Sequence, residues 1–434
     1  MRIAAIQPEK KIYKYLFYLI LTVLMAYSAF SIYASTRQMY WDFPNYYVSA
    51  NLLSQGESVG QFYDNLWFEN KASEMGIEHP ARFNPFPPIT SVLMLPLSGF
   101  EPLVAKRIWI AINALLLVLT VRLISRLFLF DYALSAFFLL LTGASLALNF
   151  RLGQYYLVIL FLLLLVYGAY KKGKLRSSAL LLSVITVIKY FPVVFIVGFL
   201  KRKYLLYFGT GTIVLILVQW AVFGTDAIQT YIGVLQNHLG GKIDGQEQAS
   251  VSFQSFNSFF TNVFVGNSET GVSPIINWPL GKMIATLLVL FIVGGSALYA
   301  VYQIYRDGQS PELIMIITAM AAMVALPASA SYHYVLLLFP FLLLMKWKLG
   351  QGHVVQSLLI TILFILVTNV LQIPIPNTGL YFLDLILDYP RLWSMTILYF
   401  YSLKIILQSK GEVKRFSNQK LSYKHLLGEQ LQQY

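Results

Sequence analysis

The sequence predicts an all-α polytopic membrane protein. Of its 434 residues, 57% are hydrophobic and only 12% are charged, whereas an ordinary soluble domain carries roughly twice that charged fraction. Apolar runs of about 20 residues recur from end to end, and each is long enough to cross a hydrocarbon core about 30 Å thick. These two observations exclude a water-soluble enzyme.

The first apolar run, 15–34, follows Lys10, Lys11 and Lys14. No small-residue cleavage site follows it, so we interpret it as a retained helix rather than a signal peptide. Nine further runs of spanning character follow, which makes ten predicted full spans in all. These nine runs cover residues 104–124, 131–150, 155–170, 204–223, 280–302, 311–330, 332–346, 354–372 and 389–408.

The stretch 177–200 has basic residues at both ends, at 171–176 and at 201–203. Because cytoplasmic loops collect Lys and Arg, both ends are expected on the cytoplasmic side. The stretch is therefore predicted to be a hairpin of two half-length helices with Lys189 at its tip.

Two predicted outer loops, about 35–103 and 224–279, are too long to be turns, and loops of this length are usually functional. The first loop holds aromatic amphipathic pieces at 45–53 and 62–72, which fit helices that lie in the membrane interface. It then has a proline-rich stretch and a short apolar run, 89–100, which fits a re-entrant segment. Residues 1–408 are predicted to form a single transmembrane domain, and 409–434 a cytoplasmic tail.

The formal charge of +13 could indicate nucleic-acid binding. With both termini inside, however, 22 basic and 6 acidic residues fall on the cytoplasmic side, and 10 basic and 13 acidic residues fall outside or at helix mouths. This asymmetry satisfies the positive-inside rule, so the charge orients the chain in a plasma (inner) membrane and requires no nucleic acid. The chain has no cysteine, which excludes disulfides and thiolate metal sites.

Asp42 follows the first helix within an aromatic segment that includes Trp41, Tyr46 and Tyr47. A carboxylate among aromatic rings is costly to desolvate unless it has a partner or a task. It could cap the helix that begins near Asn45, or it could act as a general base that takes a proton from an attacking hydroxyl. No second carboxylate or histidine lies beside it, so it does not by itself indicate a metal site.

Lys189 and Arg151 are cations at the predicted outer face. Lys189 lies within an otherwise apolar stretch, where it either extends to the interface or holds a phosphate. Arg151 ends the third span, and its guanidinium suits either bidentate phosphate recognition or interfacial anchoring.

Polar residues also occur in two later outer segments. His333 falls at the turn between two spans, where it either binds substrate or stabilises the turn. Gln254 and Asn257 belong to a run of alternating polar and aromatic residues in the second outer loop. Such a run can stack on sugar faces and bind hydroxyls, or form an amphipathic interfacial helix.

Taken in order, the motifs over residues 40–345 resemble family 87 of the glycosyltransferases, integral membrane enzymes of the class C fold. The motifs are Asp42 with the tyrosines that follow, the proline-rich end of the first outer loop, Gly153-Gln154, the Lys189 hairpin, the segment 254–257 and the turn 331–334. Two features depart from the family pattern. Tyr156 stands where asparagine is common after Gly-Gln, and the first loop reads Phe83-Asn84-Pro85-Phe86-Pro87, where a tyrosine before the proline is common.

The resemblance implies an inverting transferase that moves a sugar, mannose or another hexose, from a polyprenyl-phosphate donor to a lipid-linked or glycan acceptor at the outer face. Asp42 would be the general base. Some class C enzymes use a divalent ion at the departing phosphate, but because Asp42 has no neighbouring acid in the sequence, no divalent metal or other cofactor is expected. Contacts to the donor phosphate or sugar are expected from Lys189, Arg151, His333, Gln154 and Tyr334. Contacts to the acceptor, or within the loops, are expected from Tyr46, Tyr47, Arg82, Gln254 and Asn257.

Two other functions fit a chain of this kind. A lipid-linked glycan polymerase or ligase would concentrate arginines in its outer loops, yet the second loop contains none and has only Lys242 and Lys282 as basic residues. A secondary transporter would show inverted repeats and ionisable residues near mid-membrane, and apart from Lys189 the sequence shows neither.

Overall fold

The computed structural model describes residues 8–239, 249–266, 273–369 and 378–409, and within them every regular element is helical. The predicted tail beyond Ser409 and the loop residue Lys242 lie outside the described residues. The α-helices, in chain order, are α1 (Pro8–Ser35), α2 (Asp42–Ser54), α3 (Asn65–Glu74), α4 (Ile89–Met94), α5 (Pro102–Phe128), α6 (Tyr132–Leu140), α7 (Gly143–Leu152), α8 (Tyr156–Lys171), α9 (Leu175–Ile188), α10 (Arg202–Leu239), α11 (Phe256–Phe264), α12 (Pro279–Arg306), α13 (Pro311–Ala325), α14 (Leu338–Gly350), α15 (Val354–Asn369), α16 (Tyr381–Leu387) and α17 (Pro390–Gln408).

Five helical segments of the described chain are long and apolar enough to cross a membrane, which makes this a multi-pass membrane protein. They are α1, α5, α10, α12 and the segment Ser331–Gly350, which consists of a 3-10 helix followed by α14. The predicted span 131–150 is two helices, α6 and α7, bent by 71° at their junction, and counting this pair as one span gives six. The other predicted spans correspond to shorter helices, α8, α13 and α15, and to α17, so the full count of ten stays a prediction.

The helices form an inner and an outer group, which differ in burial. In the Ser331–Gly350 segment, 89% of the most apolar window is buried, whereas in α12 the share is 17%. Side chains such as Phe291 (78% exposed) and Leu298 (72% exposed) cover the outside of α12. Apolar side chains on the outside of a spanning helix are the expected adaptation to lipid. The segment Ser331–Gly350 and α13 therefore form the protein-buried centre of the fold.

The predicted hairpin around Lys189 is present in modified form. The first arm is α9, and the second arm is a 3-10 helix, Phe191–Phe199, with Lys189 in the turn between them. The piece predicted at 45–53 forms α2, and the piece predicted at 62–72 forms a 3-10 helix, Val59–Tyr63, followed by α3. Most of α2 is buried within the protein, so it is not the half-exposed amphipathic helix expected in the interface. The region after the proline-rich stretch contains α4 and the short 3-10 helix Leu95–Leu97.

A close contact between α2 and the turn that joins α7 to α8 brings two parts of the site together. Gly153 ends α7 in the left-handed conformation (φ 67°), which favours glycine. A Cβ at this position would stand 2.7 Å from the Cβ of Phe43. The Trp109 indole N–H donates to the Gly153 carbonyl at 2.9 Å and holds the turn in place. Gln154 is thereby placed directly beside the first turn of α2.

Candidate active site

A cavity of about 880 Å³, counting the space at its open mouth, lies at the start of α2. Its wall combines Asp42 and the proline-rich segment with the Lys189 turn, the end of α10 and the start of the 3-10 helix Ser331–Leu337. Three of the residues singled out from the sequence, Asp42, Lys189 and His333, line this one cavity together. They come from segments nearly 300 residues apart, so the packing of the helices and not local sequence assembles the site.

The Asp42 carboxylate is held by an amide that is itself held by a tyrosine. The Gln154 Nε2 donates to Asp42 Oδ2 at 2.7 Å, and the Tyr46 hydroxyl donates to Gln154 Oε1 at 2.8 Å. Because Oε1 accepts from the tyrosine, the amide nitrogen must face the carboxylate. Asp42 is itself the first residue of α2, after the N-cap Trp41, and its carboxylate accepts from Gln154, so it does not cap a helix that begins near Asn45.

Lys189 provides the positive charge of the cavity. Its ammonium lies 4.3 Å from the ring centre of Phe86 and 5.5 Å from that of Tyr156. Aromatic faces at these distances attract a cation without neutralising it. Among the described residues, no carboxylate lies within salt-bridge distance of Lys189. The cavity thus contains a carboxylate and an ammonium that are not in contact with each other.

Burial shifts the pKa of both charged groups, which lie outside the spanning helices. Desolvation raises the pKa of Asp42, although the hydrogen bond from Gln154 and the charge of Lys189 both lower it. Desolvation likewise lowers the pKa of Lys189 to about 8, against the opposing effect of Asp42. A carboxylate with a raised pKa is a better proton acceptor near neutral pH than an ordinary aspartate.

His333 presents a defined side of its ring to the cavity. Its Nδ1 accepts a hydrogen bond from the Ala330 backbone N–H at 3.0 Å. The proton of the neutral imidazole must then reside on Nε2, which can donate to a ligand. The Tyr156 ring packs edge-on against His333, with ring centres 4.8 Å apart. Tyr156, one of the two departures from the family pattern, is therefore part of the cavity wall.

Sequence reasoning missed His238, which lines the same cavity from the end of α10. Its Nε2 is 3.0 Å from the Tyr190 hydroxyl, and its Nδ1 has no hydrogen-bond partner among the described residues. The available signal was weak, because His238 is one of only five histidines but sits in a segment expected to be a loop.

Arg82 and Asn45 form one polar side of the cavity. Asn45 lies one helical turn after Asp42, and its Oδ1 accepts from the Arg82 backbone N–H at 2.8 Å. The Arg82 Nε donates to Glu69 at 2.7 Å, so the guanidinium is held at the wall by an ion pair. Arg82 was expected from the sequence as an acceptor or loop contact, and it lies where a substrate could touch it.

Arg151, in contrast, does not line the cavity. Its side chain is exposed and stacks over the ring of Tyr40, with the guanidinium carbon 4.3 Å from the ring centre. The physical reason is the bend that ends α7, which directs Gln154 inward and leaves Arg151 on the outside. Its position fits the interfacial-anchor interpretation better than phosphate binding.

Four other residues expected from the sequence lie behind or beside the cavity. Tyr47 donates to the Phe100 carbonyl at 2.7 Å and ties α2 to the loop before α5. Gln254 bonds to the Asp388 carbonyl at 2.9 Å and lines a second cavity instead. Tyr334 is buried, and Asn257 is half-buried in the first turn of α11, and neither lines the cavity of Asp42. Within the described residues, no group of three His, Asp or Glu side chains could hold a metal ion.

Comparison with known families identifies the chain. The model of glycosyltransferase family 87 matches residues 84–327, more than half of the 434 residues. The chain belongs to glycosyltransferase family 87. The matched region contains Gln154, Lys189 and His238, whereas Asp42 lies 42 residues before it and His333 lies six residues after it. No curated protein is significantly similar to the chain.

Family 87 membership supports glycosyltransferase activity, with a sugar donor and an acceptor as the two substrates. It therefore favours the transferase over the secondary transporter. Because Asp42 precedes the matched region, its role depends on the geometry of the cavity rather than on the match.

Proposed function

We propose that this family 87 enzyme transfers a sugar, mannose or another hexose, from a polyprenyl-phosphate donor to a lipid-linked or glycan acceptor, with inversion at the anomeric carbon. The observation that carries the proposal is the pairing of Asp42 and Lys189 in one cavity without contact between them. A base and a cation that face the same space can act on opposite ends of a displacement reaction.

In the proposed step, the acceptor hydroxyl attacks the anomeric carbon while Asp42 takes the hydroxyl proton. A bond forms between the acceptor oxygen and the anomeric carbon, and the bond from that carbon to the phosphate oxygen breaks. The electron pair leaves with the polyprenyl phosphate. Attack from the face opposite the phosphate inverts the configuration.

Lys189 and the Nε2–H of His333 would stabilise the charge that develops on the departing phosphate. Both groups line the cavity, and the aromatic rings around Lys189 leave its charge available. We propose that these side chains make a divalent ion unnecessary. Full transfer activity after dialysis against EDTA would support this, and a loss restored by Mg²⁺ or Mn²⁺ would overturn it.

The base assignment is tested by Asp42→Asn, with Asp307→Asn as the matched control. Asp307 is an exposed aspartate after α12 that pairs with Arg306. General-base catalysis contributes typically 10²- to 10⁴-fold, so we expect a loss of that size in kcat for Asp42→Asn and none for the control. A folded Asp42→Asn enzyme with near-normal transfer would refute the assignment.

The donor assignment is tested by Lys189→Ala, which should chiefly weaken use of the polyprenyl-phosphate donor. We expect a raised KM for the donor together with a lowered kcat, because Lys189 also stabilises the departing phosphate, and an unchanged KM for the acceptor. A variant with unchanged donor dependence would reduce Lys189 to an interfacial anchor. Screening polyprenyl-phosphate hexoses and pentoses by mass spectrometry would identify the sugar, and the anomeric configuration of the product by NMR would test inversion.

We further propose a class C fold with cytoplasmic termini and the Asp42 cavity facing the outer side. The sequence contains no cysteine, so single cysteines can be introduced without removing any. A cysteine at Glu57, on the segment after α2, should react with a membrane-impermeant maleimide in intact cells, and one at Lys172 should react only after lysis. The reverse pattern would overturn the orientation.

A further inference from the structure

A second cavity, of about 820 Å³ with its open mouth, adjoins the Asp42 cavity. The two share Tyr332 in their walls. The second cavity lies between the last turn of α7, the segment before α11, the start of the 3-10 helix Ser331–Leu337 and the start of α17. The mechanism described above makes no use of it.

The charged residue of this cavity is Arg391, which is only 3% exposed. Its Nη1 donates to the hydroxyl of Ser331, and its guanidinium carbon lies 5.9 Å from the ring centre of Tyr334. Its Nε has no hydrogen-bond partner, and no carboxylate pairs with it among the described residues. A buried guanidinium without an anionic partner costs several kcal/mol, so such a group usually has a ligand or an ion pair.

The surroundings of Arg391 hold it in place without neutralising it. The Gln254 Oε1 accepts the Arg391 backbone N–H at 3.1 Å, while the Gln254 Nε2 bonds to the carbonyls of Val251 and Asp388. The amide thus joins the segment before α11 to the start of α17. All of these contacts are uncharged, so no residue in the described part of the chain compensates the positive charge of Arg391.

We propose that the Arg391 cavity binds a phosphate ester of one of the two substrates. A guanidinium is planar and presents paired N–H donors that match the oxygens of a phosphate. The shared wall at Tyr332 would place this anion beside the sugar-transfer site. This inference deepens the proposed function and rests on it for the identity of the substrate, but the anion site itself stands on the geometry of Arg391.

The test measures binding to the purified full-length protein, so it does not require transfer activity. The probes are decaprenyl phosphate, which carries no sugar, and phosphatidylinositol, a phosphodiester lipid. Decaprenol and diacylglycerol serve as their uncharged counterparts. The variants are Arg391→Gln and Arg391→Lys, with Arg107→Gln as the control. Arg107 is an exposed arginine in the first turns of α5 and lines neither cavity.

We expect Arg391→Gln to raise the Kd for one phosphate probe at least tenfold, and Arg391→Lys to raise it less, because the charge remains while the fork is lost. Arg107→Gln and the uncharged lipids should show no change. Dependence of phosphatidylinositol on Arg391 would assign the cavity to an acceptor phosphate. Dependence of decaprenyl phosphate would assign it to the donor and, because the donor carries a single phosphate, would move the departing phosphate from Lys189 to Arg391. Unchanged binding of both probes in Arg391→Gln would overturn the proposal.

Two further measurements separate this proposal from its alternatives. If Arg391→Gln fails to fold, Arg391→Lys still allows the binding test. Equal Kd values of Arg391→Lys and the wild type for the phosphate probes would also count against a site that requires the guanidinium. If Asp42→Asn keeps full activity while the Arg391 variants lose phosphate binding, the proposed catalytic role fails and the anion site stands. If Arg391 only braced the Ser331 turn, its variants would lower thermal stability and leave phosphate affinity unchanged.

Discussion

Replacing Gln154 by leucine should shift the pH dependence of transfer in a direction that the structure fixes. The Gln154 amide donates to the Asp42 carboxylate at 2.7 Å, and this bond lowers the pKa of Asp42. A hydrogen bond to a charged group contributes about 1.5–3 kcal/mol. The pKa of Asp42 should therefore rise further when this bond is removed, and since about 1.4 kcal/mol is a tenfold change in an equilibrium constant, the ionised fraction should fall about 10- to 100-fold in the acid range.

The assay is kcat/KM for a polyprenyl-phosphate sugar measured across pH, because this quantity reports the groups of the free enzyme. The acid limb, which is the fall of kcat/KM at low pH, should move to higher pH in Gln154→Leu. At pH values below the shifted limb, kcat/KM should be about 10- to 100-fold lower than in the wild type. Tyr46→Phe should move it less, because the amide loses the donor to its Oε1 but can still reach Asp42.

The control is Gln303→Leu, which removes another buried glutamine, on α12, away from the residues that line the cavity. It should leave the acid limb in place. A limb that stays unmoved in Gln154→Leu, or moves to lower pH, would refute the assignment of Asp42 as the titrating base.

Three further outcomes are expected. In the unmodified enzyme, kcat/KM should fall as the pH drops through the raised pKa of Asp42, because the base must be ionised. It should fall again as the pH rises through about 8, where Lys189 loses its proton. A flat profile over this range would contradict the proposal. Gly153→Ala should lower the melting temperature by several degrees, because the left-handed backbone costs about 1 kcal/mol for alanine and the new Cβ would collide with Phe43. A melting temperature equal to that of the wild type would show that the turn can shift away from Phe43. Glu312→Gln should lower the free energy of unfolding in detergent by about 1–2 kcal/mol, since the buried Glu312 carboxylate pairs with the half-exposed Lys171. An unchanged unfolding midpoint would show that this ion pair contributes nothing to stability.

The sequence predicted the site best where a charged residue stood out against an apolar background. Asp42, Lys189 and His333 lie in segments of different helical elements, and all three line one cavity. These positions stand out in the sequence because an ionisable group near the membrane is costly. The sequence does not separate Arg151 from Gln154, since these residues are three positions apart and only the turn at Gly153 decides which one faces inward.

His238 and Arg391 could not be found in this way. The backbone of α10 kinks at Gly224 (φ 82°), directly after the predicted end of the span at 223, and His238 reaches the cavity because a second helical segment follows the kink as far as Leu239. Arg391 stood at the start of a predicted span, where an arginine normally marks the membrane interface. Its burial depends on contacts with segments more than 50 residues away in sequence, which no local pattern reveals.

The contrast between the buried Ser331–Gly350 segment and the exposed, apolar α12 has a consequence for how the chain tolerates change. Side chains on the outside of α12 need only be apolar and of roughly the right length, so random mutagenesis should recover active variants there at high frequency. The segment that carries His333 has neighbours on almost every side, so each position there must match a specific shape. Homologues with other sugar or acceptor preferences should therefore differ freely on the outer helices and differ at only a few positions around the two cavities.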